Sequence, residues 1–160
     1  APPPVVLASV VRLWSHPELE AQLAAAPDDG EAWLVYEDWL LSVGDPRAAL
    51  IERERAGDVT GAAVARGAIE PLLLGPHAPT FAAVISSAVW RAGFVRAAGF
   101  DATGARGLHR LADFLAAPAT RFLRELRIAV RAARADAART VVRASGRAQT
   151  LRRLAIVHSS

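Results

Sequence analysis

The chain has 160 residues, 52% hydrophobic and 22% charged, with a formal net charge of +3. That composition suits one domain or a compact pair of subdomains around a buried core, and it argues against disorder. Cysteine is absent, which excludes disulfides, thiolate metal sites and a cysteine nucleophile, and fits a cytoplasmic setting. No apolar run is long enough to span a bilayer. Residues 1–13 carry three prolines and then apolar residues, an extended and poorly ordered lead-in without the basic region of a signal peptide. Ser15-His16-Pro17-Glu18 has the spacing of a capping box, and Trp14 with Leu19 that of a hydrophobic staple. A first helix is therefore expected over 16–26, burying Leu19, Leu23 and Ala26.

Residues 27–51, PDDGEAWLVYEDWLLSVGDPRAALI, are the stretch on which the rest of the chain is expected to be arranged. Asp28 and Asp29 are N-cap candidates, Asp28 with Glu31 at capping-box spacing. Ala32, Val35, Tyr36, Trp39, Leu40 and Val43 recur as one apolar helix face. Gly44 ends that helix, Asp45 caps the next, and Pro46 fits its first turn. Trp33 lies off the apolar face, either packed against the first helix or exposed as a contact residue. The next helix should run over 46–56 and stop at Gly57, and an alanine-rich fourth should start after Thr60 and fade over 71–76. These elements form a helical module over 14–75.

The string Leu34-Val-Tyr-Glu-Asp-Trp-Leu-Leu-Ser-Val-Gly-Asp-Pro-Arg-Ala-Ala-Leu-Ile51 resembles the signature of the bacterial repeat-companion domain family, roughly LVYADWLEERGDPRGEFI. The matching positions are Leu34, Val35, Tyr36, Asp38, Trp39, Leu40, Gly44, Asp45, Pro46, Arg47 and Ile51. Trp33 stands where arginine is usual, Glu37 for alanine, and Ala48-Ala49 for Gly-Glu. Trp90-Arg-Ala-Gly-Phe-Val95 is similar to a second family tract, W-R-R-G-F-V. The resemblance implies a short helical module from large-genome bacteria, often followed by leucine-rich-type repeats. That family has no established activity, so the implication concerns fold more than function.

Gly75-Pro76-His77-Ala78-Pro79 marks a boundary, with a connection over 76–89. Phe81 to Arg91 is ambiguous between helix and strand, and the glycine turn after it should feed a strand. Beyond it, apolar positions recur every 28 residues: Val95, Leu123, Leu151; Ala98, Leu126, Leu154; Phe100, Ile128, Ile156. This L-x-x-L-x-I spacing is that of a leucine-rich-repeat strand, chance recurrence being the alternative. Between the strands, Leu108, Leu111, Ala112 and Leu115, then Ala137, Ala138, Val141 and Val142, have helical period. The expected fold is α/β and mostly α: a helical module capping a short ribonuclease-inhibitor-type βα segment over 90–160, its strands parallel.

No active site is legible. His16, His77, His109 and His158 have no metal-ligand spacing, Gly104-Ala105-Arg106-Gly107 lacks a phosphate loop's pattern, and Ser86-Ser87 and Ser159-Ser160 lack a nucleophile elbow. Asp28-Asp29 read as helix caps and Glu37-Asp38 as an exposed polar face, with Asp38 reaching a helix N-terminus or Arg47 as an alternative. In the repeat register, Ala97 and Gly99, then Glu125, Arg127 and Ala129, then Arg153, Ala155 and Val157 share the concave face, where extended repeat proteins bind partners. Residues 151–157 form an unpaired edge, open to another chain or a continuation of this one. All 19 basic residues are arginine; residues 1–79 hold 5 of them with 12 acidic residues, and residues 80–160 hold 14 with 4. Such asymmetry marks either an acidic-partner or nucleic-acid surface, or two halves that attract each other. Arg139, Arg143 and Arg147 at i, i+4, i+8 form a candidate basic stripe. The expected function is non-enzymatic protein–protein interaction or scaffolding within a larger bacterial protein or complex, without cofactor or metal. Nucleic-acid binding through the arginine-rich half is the alternative.

Overall fold

The computed structural model describes residues 11–159; most of the expected lead-in, 1–10, lies outside them. Six helices come first among the described residues: α1 Pro17–Ala25, α2 Gly30–Ser42, α3 Ala48–Arg55, α4 Val59–Ala68, α5 Glu70–Leu74 and α6 Ala78–Phe81. A sheet follows with two helices between its strands: β1 Ile85–Arg91, β2 Phe94–Asp101, α7 Gly107–Ala116, β3 Glu125–Arg131, α8 Ala135–Ala144 and β4 Arg153–Ser159.

One of the caps that set these boundaries differs by one residue from the expected position, and another is one of the two expected candidates. His16, not Ser15, caps α1, its Nδ1 accepting the Leu19 N–H at 3.3 Å while Ser15 Oγ donates to Glu20. Of the candidates Asp28 and Asp29, Asp29 caps α2, accepting from Glu31 and Ala32 at 3.0 and 3.3 Å. Asp58 caps α4 through the Gly61 N–H at 2.8 Å. Gly44 and Gly57, at φ 65° and 70°, end α2 and α3 in a conformation that costs other residues 1–2 kcal/mol or so.

The buried stripe of α2 is Trp33, Tyr36, Glu37 and Leu40, which is itself an i, i+3, i+4, i+7 set. The expected face is thus corrected: Val35 is 53% exposed. A carboxylate sits inside the true stripe, so a purely apolar template selects the neighbouring one. Glu37 is buried because Arg55 and Arg91 both reach it, at 3.2 and 3.1 Å. Asp38 remains outside and pairs with Arg55 rather than Arg47.

Segment 85–91 is a strand, turned back by Ala92-Gly93 with φ 50° and 81°. Two central residues at positive φ make a hairpin turn whose twist suits the strands it joins. A two-residue turn can only return the chain antiparallel, so the sheet is mixed rather than wholly parallel. Its order is β1-β2-β3-β4, and β2, β3 and β4 run parallel. The 28-residue interval is the sheet register: Ala98, Leu126 and Leu154 are neighbours, as are Phe100, Ile128 and Ile156. The same interval recurs in the backbone, where Arg124 N–H donates to Arg96 O at 2.9 Å and Arg152 N–H to Arg124 O at 2.8 Å.

Two cores result. One lies between the sheet and helices α7 and α8, where Phe100, Leu126 and Ile128 meet Leu111, Phe114 and Val142. The other is aromatic and joins the helical part to the hairpin: Trp33, Tyr36, Phe94 and Phe122 with Leu23, Leu40 and Ile51. Trp33 is enclosed, 5.9 Å from the Phe94 ring and 5.6 Å from Phe122, and its Nε1–H donates to Pro27 O at 3.0 Å. The Tyr36 hydroxyl donates to Glu20 at 3.0 Å; burial, opposed by Arg47 and helped by Glu20, pushes its pKa well above the ordinary phenol value.

Beside this cluster, Asp45 and Arg47 form a buried ion pair at 2.7 Å. Asp45 also accepts the Arg47 and Trp14 N–H groups, at 2.7 and 2.8 Å. Arg47 donates to Trp14 O and lies 5.2 Å from the Phe94 ring centre. A Cβ on Gly93 would sit 3.0 Å from the Arg47 stem, so glycine there satisfies both the turn and the close approach. The two tracts that carry the family resemblance therefore touch. No helix among the described residues is long and apolar enough to cross a membrane.

Candidate interaction surface

Side chains alternate across a strand, and only one face of this sheet is covered. Phe100 packs on Phe114 of α7 at 5.3 Å between ring centres, with Leu126 and Ile128 beside it. Residues of the other parity point away from the helices. They form rows across the strands: Val89, Ala97, Glu125, Arg153; then Ser87, Gly99, Arg127, Ala155; then Asp101, Ala129, Val157. All six proposed partner-binding residues, Glu125, Arg127, Ala129, Arg153, Ala155 and Val157, thus share this open face. The first two rows line a groove of about 270 Å³.

The groove exists because its middle is small. Gly99 keeps it clear: a Cβ there would crowd Ser86 Oγ and Ser87 Oγ, so those side chains would have to turn away, where a bulge lies between Ile85 and Ser87. Ala97 and Ala155 leave the sheet surface low, while Arg127 and Arg153 rise on one side and Val89, 61% exposed, on the other. Arg153 and Glu125 approach to 3.6 Å as solvent-exposed groups, a pair worth at most about 1 kcal/mol. Ser87 and Val89 were not foreseen as part of this surface; their alternation is its only sequence signal.

The basic stripe does not hold together. Arg139 and Arg143 lie exposed on α8, Arg139 bound to Asp136 at 2.9 Å. Arg147 leaves the stripe, because α8 ends at Ala144 and Gly146 at φ 73° turns the chain. Its guanidinium goes inward, Nε donating to Leu115 O at 2.8 Å and to Thr120 Oγ1 at 3.2 Å, and Nη2 to Ala117 O at 3.2 Å. It thus occupies carbonyls that α7 leaves free at its C-terminal end. Burial, reinforced by Arg121, lowers its pKa.

Four of the remaining arginines meet the acidic helical part. Arg91 binds Glu37 at 3.1 Å, Arg121 binds Glu20 at 2.9 Å, and Arg124 binds Asp28 at 2.6 Å. Arg96 lies 3.9 Å from Asp28 and 4.8 Å from the Trp33 ring centre, half-buried, and burial lowers its pKa. The two oppositely charged halves attract each other within one molecule.

Two of the four histidines share a neighbour. His16 caps a helix, and His158 lies exposed on β4. His77 and His109 approach Asp113 Oδ2 at 3.9 and 3.8 Å, a grouping the sequence analysis did not single out. Among the described residues, no group of three or more histidine and carboxylate side chains is placed to hold a metal ion. Comparison with protein-family models, with curated proteins and with solved structures found no match to this chain.

Proposed function

We propose that the chain is a non-enzymatic protein–protein recognition module, in which a helical companion-type domain caps a short leucine-rich-repeat-like βα segment of a larger bacterial protein or complex. The observation that carries this reading is the one-sided sheet. One face packs against α7 and α8, while the other presents small residues flanked by Arg127 and Arg153 with no covering element among the described residues. Recognition surfaces of this kind pair an accessible low floor with a few polar anchors. The contact between Arg47, Gly93 and Phe94 supports the companion-domain part, since it gives both resembling tracts one structural purpose.

Selection of random displayed peptides on the protein tests the proposal. Peptides that bind through the open face lose about tenfold or more in affinity to Arg127→Glu with Ala155→Arg, both exposed strand positions whose change leaves the core alone. Peptides that bind this double variant as well as the parent protein would place recognition elsewhere. Tight, salt-sensitive binding of random-sequence nucleic acid would favour the alternative through the arginine-rich half.

A further inference from the structure

Among the described residues the last strand of the sheet is β4, whose register with β3 runs from Glu125↔Arg153 to Arg131↔Ser159 and whose other edge has no neighbour among them. An edge strand presents N–H and C=O groups that another strand can take. Beneath this edge is a groove of about 400 Å³ between β4 and α8. Its floor is Val142, Leu151 and Leu154, and its rim is Arg139, Arg143 and Arg152. The row Ala98, Leu126, Leu154 runs into it: the first two are 6% and 2% exposed, and Leu154 is 43% exposed. An apolar row built to be covered therefore stops uncovered at an edge.

Charge decides among the occupants. Neither Arg143 nor Arg152 forms an ion pair among the described residues, and the one carboxylate on α8, Asp136, is held by Arg139. A second copy docked edge to edge would set one arginine rim against another, and like charges juxtaposed at an interface oppose association by several kcal/mol. A strand from an acidic partner meets no such cost. Edge arginines also serve simply to keep sheets from pairing, but that purpose does not need an apolar floor beside them.

We infer that the β4 edge and its groove receive an extended acidic segment of a partner protein, added to the sheet as a fifth strand, with apolar side chains over Leu154 and Leu151 and carboxylates toward Arg143 and Arg152. Main-chain hydrogen bonds supply the affinity in this mode of recognition, and side chains supply the selectivity. The site goes beyond the open-face reading and, apart from Arg153, which borders both grooves, uses different residues, so either stands if the other fails.

The test uses a fluorescein-labelled peptide of repeating valine-threonine-glutamate-threonine, whose valines and glutamates fall on the same face of a strand, with fluorescence anisotropy on the whole chain. The expected result has three parts. The peptide binds; Arg143→Glu with Arg152→Glu weakens it by about tenfold or more, as does Leu154→Asp; and the same peptide N-methylated at every residue, which keeps its charges but has no backbone donors, does not bind. Arg127→Glu alone, on β3 and so one strand removed from the docking edge, leaves this binding within about twofold, which separates the two sites. Equal binding of the N-methylated peptide, or of oligothymidylate of the same charge, would reduce the groove to a patch of positive charge and overturn the inference. So would absence of peptide binding, or a dimer of the chain that the peptide does not displace.

Discussion

Arg47 is the side chain on which the junction of the two parts depends most. It is buried, paired with a buried carboxylate, bound to Trp14 O and packed on Phe94. Burial by itself would lower its pKa; the Asp45 hydrogen bonds and charge outweigh that and hold it raised. Arg47→Ala strands Asp45 in the interior and is expected to cost about 3–5 kcal/mol, read as a lowered urea midpoint. A loss below about 1 kcal/mol would mean water reaches Asp45 freely. Glu54 gives a second residue-scale prediction. Its carboxyl is held above the ordinary glutamate value, chiefly by burial and against the hydrogen bond from the Ala92 N–H. The folded state thus keeps the proton longer than the unfolded state, so stability falls as pH rises from the ordinary glutamate range through the raised value. Glu54→Gln keeps an acceptor for Ala92 and removes that slope. Its melting temperature should gain on the parent protein above this window and lose the gain in acid; an equal gain at every pH contradicts the assignment. Single residues were the least legible scale. Gly44 and Leu40 were readable from spacing, but Asp45 does not cap α3, which starts at Ala48 with Arg47 at its N-cap. Burial of Glu37 depends on Arg55 and on Arg91, 54 residues away, and no local pattern carries that.

At the scale of elements, periodicity carried furthest where one face of an element is apolar throughout. The 28-residue recurrence proved to be the strand register, because parallel neighbours must repeat the same side-chain parity to cover one set of helices. Strand β1 was not legible as a strand: its exposed face mixes serine and valine, and hydrophobicity alone does not separate strand from helix over seven residues. The basic stripe failed for a related reason, since i+8 spacing assumes a helix that Gly146 has already ended. That difference is measurable. Arg147→Ala empties bonds to Leu115, Ala117 and Thr120 at the end of α7 and should cost about 1–3 kcal/mol. Arg143→Ala, at an exposed position, should stay within about 0.5 kcal/mol. Equal effects in chemical denaturation would restore the stripe.

For the whole molecule, the uneven charge is a device of internal assembly as well as a surface property. Arg91, Arg121 and Arg124 bind carboxylates of the helical part, so salt should lower the melting temperature modestly without changing the mass in solution. A species whose mass falls as salt rises would show that the halves pair between molecules instead. With those arginines engaged, the sheet's open face offers a formed groove beside Arg127, separate from the groove at the β4 edge. The strongest rivals are the scattered apolar residues of the helical part, Val59 and Val64 at 81% and 71% exposure. Mapping amide chemical shifts while titrating a display-selected peptide distinguishes them directly. The open-face account predicts perturbations concentrated at Ser87, Ala97, Gly99, Arg127 and Ala155; a map centred on Val59 and Val64 instead would contradict it.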